Sequence, residues 1–138
     1  MIRLPSRSFE REAVAEVFAK YAGVEAVYLF GSQATGATRQ DSDIDLAVVP
    51  KDTSVRSHKL AILTDLAARG FTDVDLVFLD SDDIVLKFEV VRHNALIYAT
   101  PDFDRGAYFS KIVRMYWDFL PYLKVQREAY KRSVLNGT

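Results

Sequence analysis

The chain has 138 residues, of which 27% are charged and 49% hydrophobic, and it contains no cysteine. This composition fits one compact soluble domain; it excludes a disordered chain, a disulfide scaffold and thiolate metal sites, and no apolar stretch approaches a membrane span. The net charge of −1 conceals an asymmetry, with −6 on residues 1–104 and +5 from Arg105 to Thr138. Cations spread along a helix make a solvated face more often than a nucleic-acid patch, so direct nucleic-acid binding is not expected. The opening MIRLPSRSFE lacks the apolar core of a signal peptide, which makes the cytoplasm the default location.

In chain order, Ser8 can cap a first helix whose apolar positions Phe9, Ala13, Val14, Val17, Phe18 and Tyr21 follow the three-and-four spacing, with Gly23 as a stop. Ala26–Phe30 reads as a strand, and the Gly31-Ser32 pair after it can open a short helix whose free backbone N–H groups favour phosphate. Ile44–Val49 is a second strand, ended by Pro50. A helix over Ser54–Arg69 closes at Gly70, and Val74–Leu79 is a third strand. Asp82 or Asp83 caps a helix through Arg92, with Asn94 as a left-handed stop before the short run Ala95–Ala99. After Pro101 the chain is helical, with Asp102 or Asp104 near the cap and Pro121 as a kink or break. The expected fold is α/β (α+β): a small mixed sheet flanked by helices, with a C-terminal helical tail. It divides into a domain over residues 1–100 and an extension over 101–138.

The chemistry concentrates in Gly31–Leu46, GSQATGATRQDSDIDL. Strands send alternate side chains to opposite faces, so Asp43 and Asp45 point one way while Ile44 and Leu46 point into packing. Two carboxylates on one face suit a hard cation such as Mg²⁺, which takes oxygen ligands and is usually held together with substrate phosphates. Asp73 and Asp75 also share a face, and Asp75 lies deeper in its apolar run. Asp73 is better read as a strand-entry residue. Two ions about 4 Å apart can activate an attacking oxygen and stabilise the leaving one during displacement at phosphorus. No GxSxG elbow surrounds Ser32 and no Gly-Lys-Ser/Thr follows Gly31 or Gly36, so a serine hydrolase and a Walker loop are both excluded. His58 and His93 read as surface or capping groups.

A Gly-Ser pair, a ten-residue spacer, a DxD at the start of a strand and a third Asp on a later strand together resemble the nucleotidyltransferase superfamily that includes DNA polymerase beta. The likeness is to its minimal members, the MNT domains. The stretch VDLVFLDSDDIVLKFEVVRHNALIYA is further similar to the corresponding part of MntA-type antitoxins of HEPN/MNT toxin–antitoxin systems. The resemblance implies that Gly31 and Ser32 contact the β- and γ-phosphates of ATP. It implies that Asp43, Asp45 and Asp75 hold Mg²⁺, with Asp75 also placed to accept a proton. The chain departs from many members in lacking a cation at Gln33, Ala34 and Thr35, so phosphate neutralisation falls to Arg39, the candidate nucleotide contact, or to a partner protein.

Relatives that adenylate antibiotics or RNA generally carry a further domain for the acceptor, whereas here little beyond one helical tail follows the sheet. The resemblance therefore implies a borrowed acceptor: a tyrosine of a HEPN RNase toxin, modified with AMP and thereby neutralised. Eight of the seventeen aromatics lie between Phe103 and Tyr130. Phe109, Ile112, Val113, Tyr116, Phe119, Leu120 and Leu123 fit a core-facing stripe, while Tyr108, Met115, Trp117 and Tyr122 widen the arc towards a second surface. Two alternatives stay open: a non-catalytic antitoxin that caps the toxin, and a transferase acting on a small hydroxylated molecule of the antibiotic type.

Overall fold

The computed structural model describes residues 7–31 and 44–135. Helix α1 spans Arg7–Phe18, strand β1 Val24–Phe30 and strand β2 Ile44–Pro50. A 3-10 helix over Thr53–His58 leads into α2, Lys59–Ala68, and β3 follows at Val74–Phe78. Helix α3 covers Ile84–His93, β4 Ala95–Ala99, and α4 Arg105–Leu135. The four strands form one mixed sheet in the order β3-β2-β1-β4. β1 is antiparallel to both β2 and β4, while β2 and β3 are parallel. A parallel pair needs a crossover, which the 3-10 helix and α2 provide.

Apolar side chains on both faces of the sheet explain why helices cover both. On one face Val27, Leu29, Leu46, Val48, Leu76 and Phe78 pack under Val14, Val17 and Phe18 of α1 and Ile62 and Leu66 of α2. On the other, Ala26, Tyr28, Ala47 and Val49 pack under Ile84, Val90 and Val91 of α3 and Ile112 of α4. The mixed sheet with flanking helices and a long C-terminal helix bears out the expected fold class. No helix among the described residues is long and apolar enough to cross a membrane.

Several local expectations are corrected. α1 is already helical at Arg7, which puts Ser8 inside the helix rather than at its cap. The single helix expected over Ser54–Arg69 is split. Asp52 accepts the backbone N–H of Ser54 at 2.8 Å, and Ser57 Oγ donates to the Ser54 carbonyl at 2.7 Å. Such local side-chain bonds hold the first turns in the tighter 3-10 form. Val55, fully buried in that turn, packs so close to Gly23 that a Cβ there would sit 3.2 Å from the Val55 Cβ. α3 starts as anticipated, Asp83 accepting from Leu86 N at 3.0 Å, and it stops at Asn94, whose φ of 54° is left-handed.

α4 begins with Asp104 accepting from Ala107 N at 3.0 Å and runs unbroken through Pro121. The proline costs the bond its N–H would have given to the Trp117 carbonyl, on a stretch where water can replace it. The aromatic stripe also divides differently. Tyr108 belongs to the interior, stacked on Tyr28 with ring centroids 6.3 Å apart, and Tyr116 stacks on Phe88 at 3.9 Å. Phe109 and Leu120, assigned to the core by spacing, are 39% and 38% exposed. Trp117 and Tyr122 are more exposed still.

Ile62 is fully buried between α2 and the sheet, so Ile62→Ala is expected to cost about 2–5 kcal/mol in chemical denaturation. Arg56 grips Asp80 through two bonds of 2.7 Å, tying the crossover to the end of β3. The Arg56 guanidinium holds the Asp80 carboxyl below its ordinary value of 3.8. A depressed carboxyl stabilises the fold above its unfolded pKa and loses that contribution as pH falls through the folded value. The stability difference between wild type and Asp80→Asn is therefore expected to be flat from pH 7 to about 5 and to shrink below pH 4, as read from melts across that range.

Candidate active site at the carboxylate end of the sheet

The site begins where β1 stops. Gly31 has φ +74°, a left-handed conformation that glycine adopts without the steric cost borne by other residues. It is also pressed against β2: a Cβ on Gly31 would overlap Oδ2 of Asp45 and lie 3.2 Å from its Cγ. Two separate constraints, backbone conformation and close approach, therefore require glycine at position 31. The sequence marks this residue by its place after the strand and by the Gly-Ser pair, while its close approach to β2 is a tertiary relation.

Register then assembles the acidic groups. Asp45 is opposite Phe30 across the antiparallel pair and beside Asp75 across the parallel one. Asp75, Asp45 and Phe30 thus form one row across three strands, with neighbouring strands about 5 Å apart. Alternation decides which way they point. Asp45 shares its side of β2 with Ala47 and Val49, and Asp75 shares its side of β3 with Val77, all packed into the layer under α3 and α4. Leu46 is fully buried on the opposite side and Ile44 packs there too, as the alternation required. The helices cover the middle of this face and leave its carboxylate end accessible: Asp45 is partly buried and Asp75 exposed.

Asp45 and Asp75, from sequence segments thirty residues apart, are therefore brought together. Asp73 is exposed, and its backbone carbonyl accepts the Ile44 N–H at 2.9 Å, a strand-entry role. Asp43, Ser32, Arg39 and the short helix expected after Gly31-Ser32 lie outside the described residues. Among the described residues no three acidic or histidine side chains gather around one point. The two that adjoin offer what a divalent cation takes, hard oxygen donors on adjacent strands. The donor set fits Mg²⁺.

The far end of the same row contains a group that sequence reasoning passed over. Arg105 had counted only as the first cation of the basic tail, yet its Nε donates to Asn94 Oδ1 at 3.1 Å and its Nη2 to the Asn94 carbonyl at 2.8 Å. Asn94 immediately precedes Ala95, which registers with Leu29 near the end of β1. The left-handed stop at Asn94 was legible; the cation it would attract was not. Behind this corner burial pushes the Tyr28 phenol up, and the Arg105 charge opposes that shift. Burial pushes the Tyr108 phenol up as well, and its hydroxyl has no hydrogen-bond partner among the described residues.

The contact between Gly31 and Asp45 has a measurable consequence. Gly31→Ala is expected to destabilise the protein by about 1–2 kcal/mol from backbone conformation alone, plus the cost of displacing the Asp45 carboxylate. In a double-mutant cycle by denaturation the second part should disappear in the Asp45→Ala background. An identical loss in both backgrounds would show that the carboxylate is not in contact.

Comparison with known proteins identifies the family of this fold. Residues 12–102 match the family described as polymerase beta, nucleotidyltransferase. The chain is 32% identical over 115 residues to the protein adenylyltransferase MntA of Shewanella oneidensis, covering 83% of this chain and 79% of that protein. Among solved structures it is similar to a chain of a toxin–antitoxin crystal structure with AMP-PNP, at TM-score 0.68 and 28% identity over 91% of this chain and 98% of the other. It also matches a chain from the tri-AMPylated Shewanella oneidensis HEPN toxin in complex with MNT antitoxin, at TM-score 0.66 and 26% identity over 94% and 99% of the two chains. The sheet that pairs Asp45 with Asp75 beside Gly31 is thus a nucleotidyltransferase sheet, and the chain belongs to the polymerase beta nucleotidyltransferase family, among its MntA-type members.

Proposed function

We propose that this protein is an antitoxin that transfers AMP from ATP to a tyrosine hydroxyl of a HEPN RNase toxin. The observation that carries the reading is the register pairing of Asp45 with Asp75 next to Gly31, in a chain similar to a protein adenylyltransferase. Asp43, two residues before Asp45 in the sequence, completes the carboxylate set. Gly31 and Ser32 contact the β- and γ-phosphates, and Arg39 adds positive charge. When bound, Mg²⁺ neutralises the polyphosphate and lowers the barrier to displacement at the α-phosphorus. Two ions suit three carboxylates.

The reaction balances simply. The tyrosine oxygen forms a bond to the α-phosphorus of ATP, the bond from that phosphorus to the β-phosphate oxygen breaks, and pyrophosphate leaves. The phenolic proton passes to a carboxylate, a role we give to Asp75, whose exposure supports it. Residues 1–100 act as the catalytic unit and 101–138 as a helical extension that packs on it and contacts the partner. Similarity to chains solved with a HEPN toxin supports that partner.

With the purified chain, Mg²⁺ and its cognate HEPN RNase, label in the α-phosphate of ATP is expected to appear on the toxin, and label in the γ-phosphate is not. Asp45→Asn and Asp75→Asn should each lower the transfer rate by about a hundredfold or more, a loss of some 3 kcal/mol of transition-state stabilisation. Chelation of divalent cations should abolish transfer. A second reading is favoured by the exposed Trp117, at 63%, and Tyr122, at 66%: neutralisation by capping alone. Under that reading Asp45→Asn would still neutralise the toxin, while paired replacement of Trp117 and Tyr122 would not.

A further inference from the structure

Gln33, Ala34 and Thr35, directly after the Gly31-Ser32 pair, are uncharged and Arg39 is the first cation after it in the sequence, so a further cation has a use at a triphosphate. Among the described cations, Lys20, Arg56, Arg69 and Arg92 are each paired with a carboxylate, namely Asp65, Asp80, Glu16 and Glu89. Arg105 is held differently. Among the described residues both of its hydrogen bonds go to Asn94, one to the side-chain oxygen and one to the backbone carbonyl. These neutral acceptors orient the guanidinium without cancelling its charge. Within the described residues two of its five N–H donors are used, and the side chain is at the surface.

Its place in the fold gives that charge a use. Asn94 lies at the end of the sheet where Asp75, Asp45 and Phe30 form their row, and β4 is next to β1. Two strand intervals, about 10 Å, separate β4 from β2, a distance an extended polyphosphate spans. Arg105 is the first residue of α4, the helix that packs on the face towards which both carboxylates point, where Tyr28 lies two residues before Phe30. An arginine fixed by two bonds loses little further freedom when it takes up an anion, and its planar fork matches phosphate oxygens.

We propose that Arg105, oriented by the left-handed Asn94 corner, is a nucleotide-binding residue that contacts the polyphosphate of ATP. This rests on the nucleotidyltransferase reading above. The test is calorimetric binding of ATP and of adenosine to the full chain without toxin, in Mg²⁺ and at two salt concentrations. Arg105→Gln is expected to weaken ATP binding roughly tenfold or more while leaving adenosine unchanged, as for loss of a charged hydrogen bond. Arg105→Lys should recover part of the loss, because charge persists without the fork. Asn94→Gly, which keeps the left-handed backbone but removes the side-chain acceptor, should weaken ATP by a smaller factor. Arg114→Gln removes the same charge elsewhere on α4 and should change nothing. Thermal melts establish that each variant folds.

Unchanged ATP affinity in Arg105→Gln would overturn the assignment, as would an equal loss in Arg114→Gln or an equal loss of adenosine binding. A wild-type chain that binds no ATP would overturn the nucleotide reading itself. That result is distinguishable, because every outcome that overturns the Arg105 assignment alone is read against a wild-type chain that binds ATP.

Discussion

The pairing register of β2 governs this structure. β2 is hydrogen-bonded on one side to β1, antiparallel, and on the other to β3, parallel. Because side chains alternate with a period of two, a slip of one residue in either ladder would move Asp45 to the side where Leu46 is now buried. Burial of Leu46 and Val48 against α1 and α2 makes such a slip costly. The packing of the apolar side thus holds the carboxylates on the other side, and Gly31 fits against Asp45 only in that register.

The two faces consequently differ in what they do. The α1/α2 side is a closed apolar layer, reinforced at its rim by polar links such as Tyr21 to Asp65 at 2.5 Å, with the Tyr21 phenol pushed up to about 12 by burial and that bond. The α3/α4 side is apolar only where the helices lie, and beyond their edge the same strands carry Asp45 and Asp75. A single sheet face passes from core to carboxylate-bearing surface within one alternation step.

α4 serves both regions. Its first turns seal the second layer through Tyr108, Ile112 and Tyr116, and its first residue clamps the Asn94 corner. From Leu120 onward most of its apolar side chains, including Tyr122, Val125 and Tyr130, are exposed. The packing helix of the domain thus continues into a surface that the domain does not cover, consistent with membership of a family represented in toxin–antitoxin complexes.

Local pattern alone determined a good deal. The β-strands at Ile44 and Ala95, the Asp83 cap, the left-handed Asn94 and the mixed architecture all follow from alternation, capping chemistry and glycine-like stops, which act over a few residues and are written in consecutive letters. The DxD spacing likewise marked a two-sided strand entrance before any fold was known. The split of the helix before α2 was missed because Asp52 and Ser57 bonds compete with helix propensity on nearly equal terms. The exposure of Phe109 and Leu120 was missed because helical spacing places residues on an arc without saying how wide the neighbouring α3 is. Only the tertiary structure decided that Asp75 sits beside Asp45, that Gly31 is pressed on that carboxylate, and that Arg105 reaches Asn94 at the far end of the row. Those are relations between strands and helices distant in sequence, and they depend on ladder register and interhelix packing that no single segment encodes.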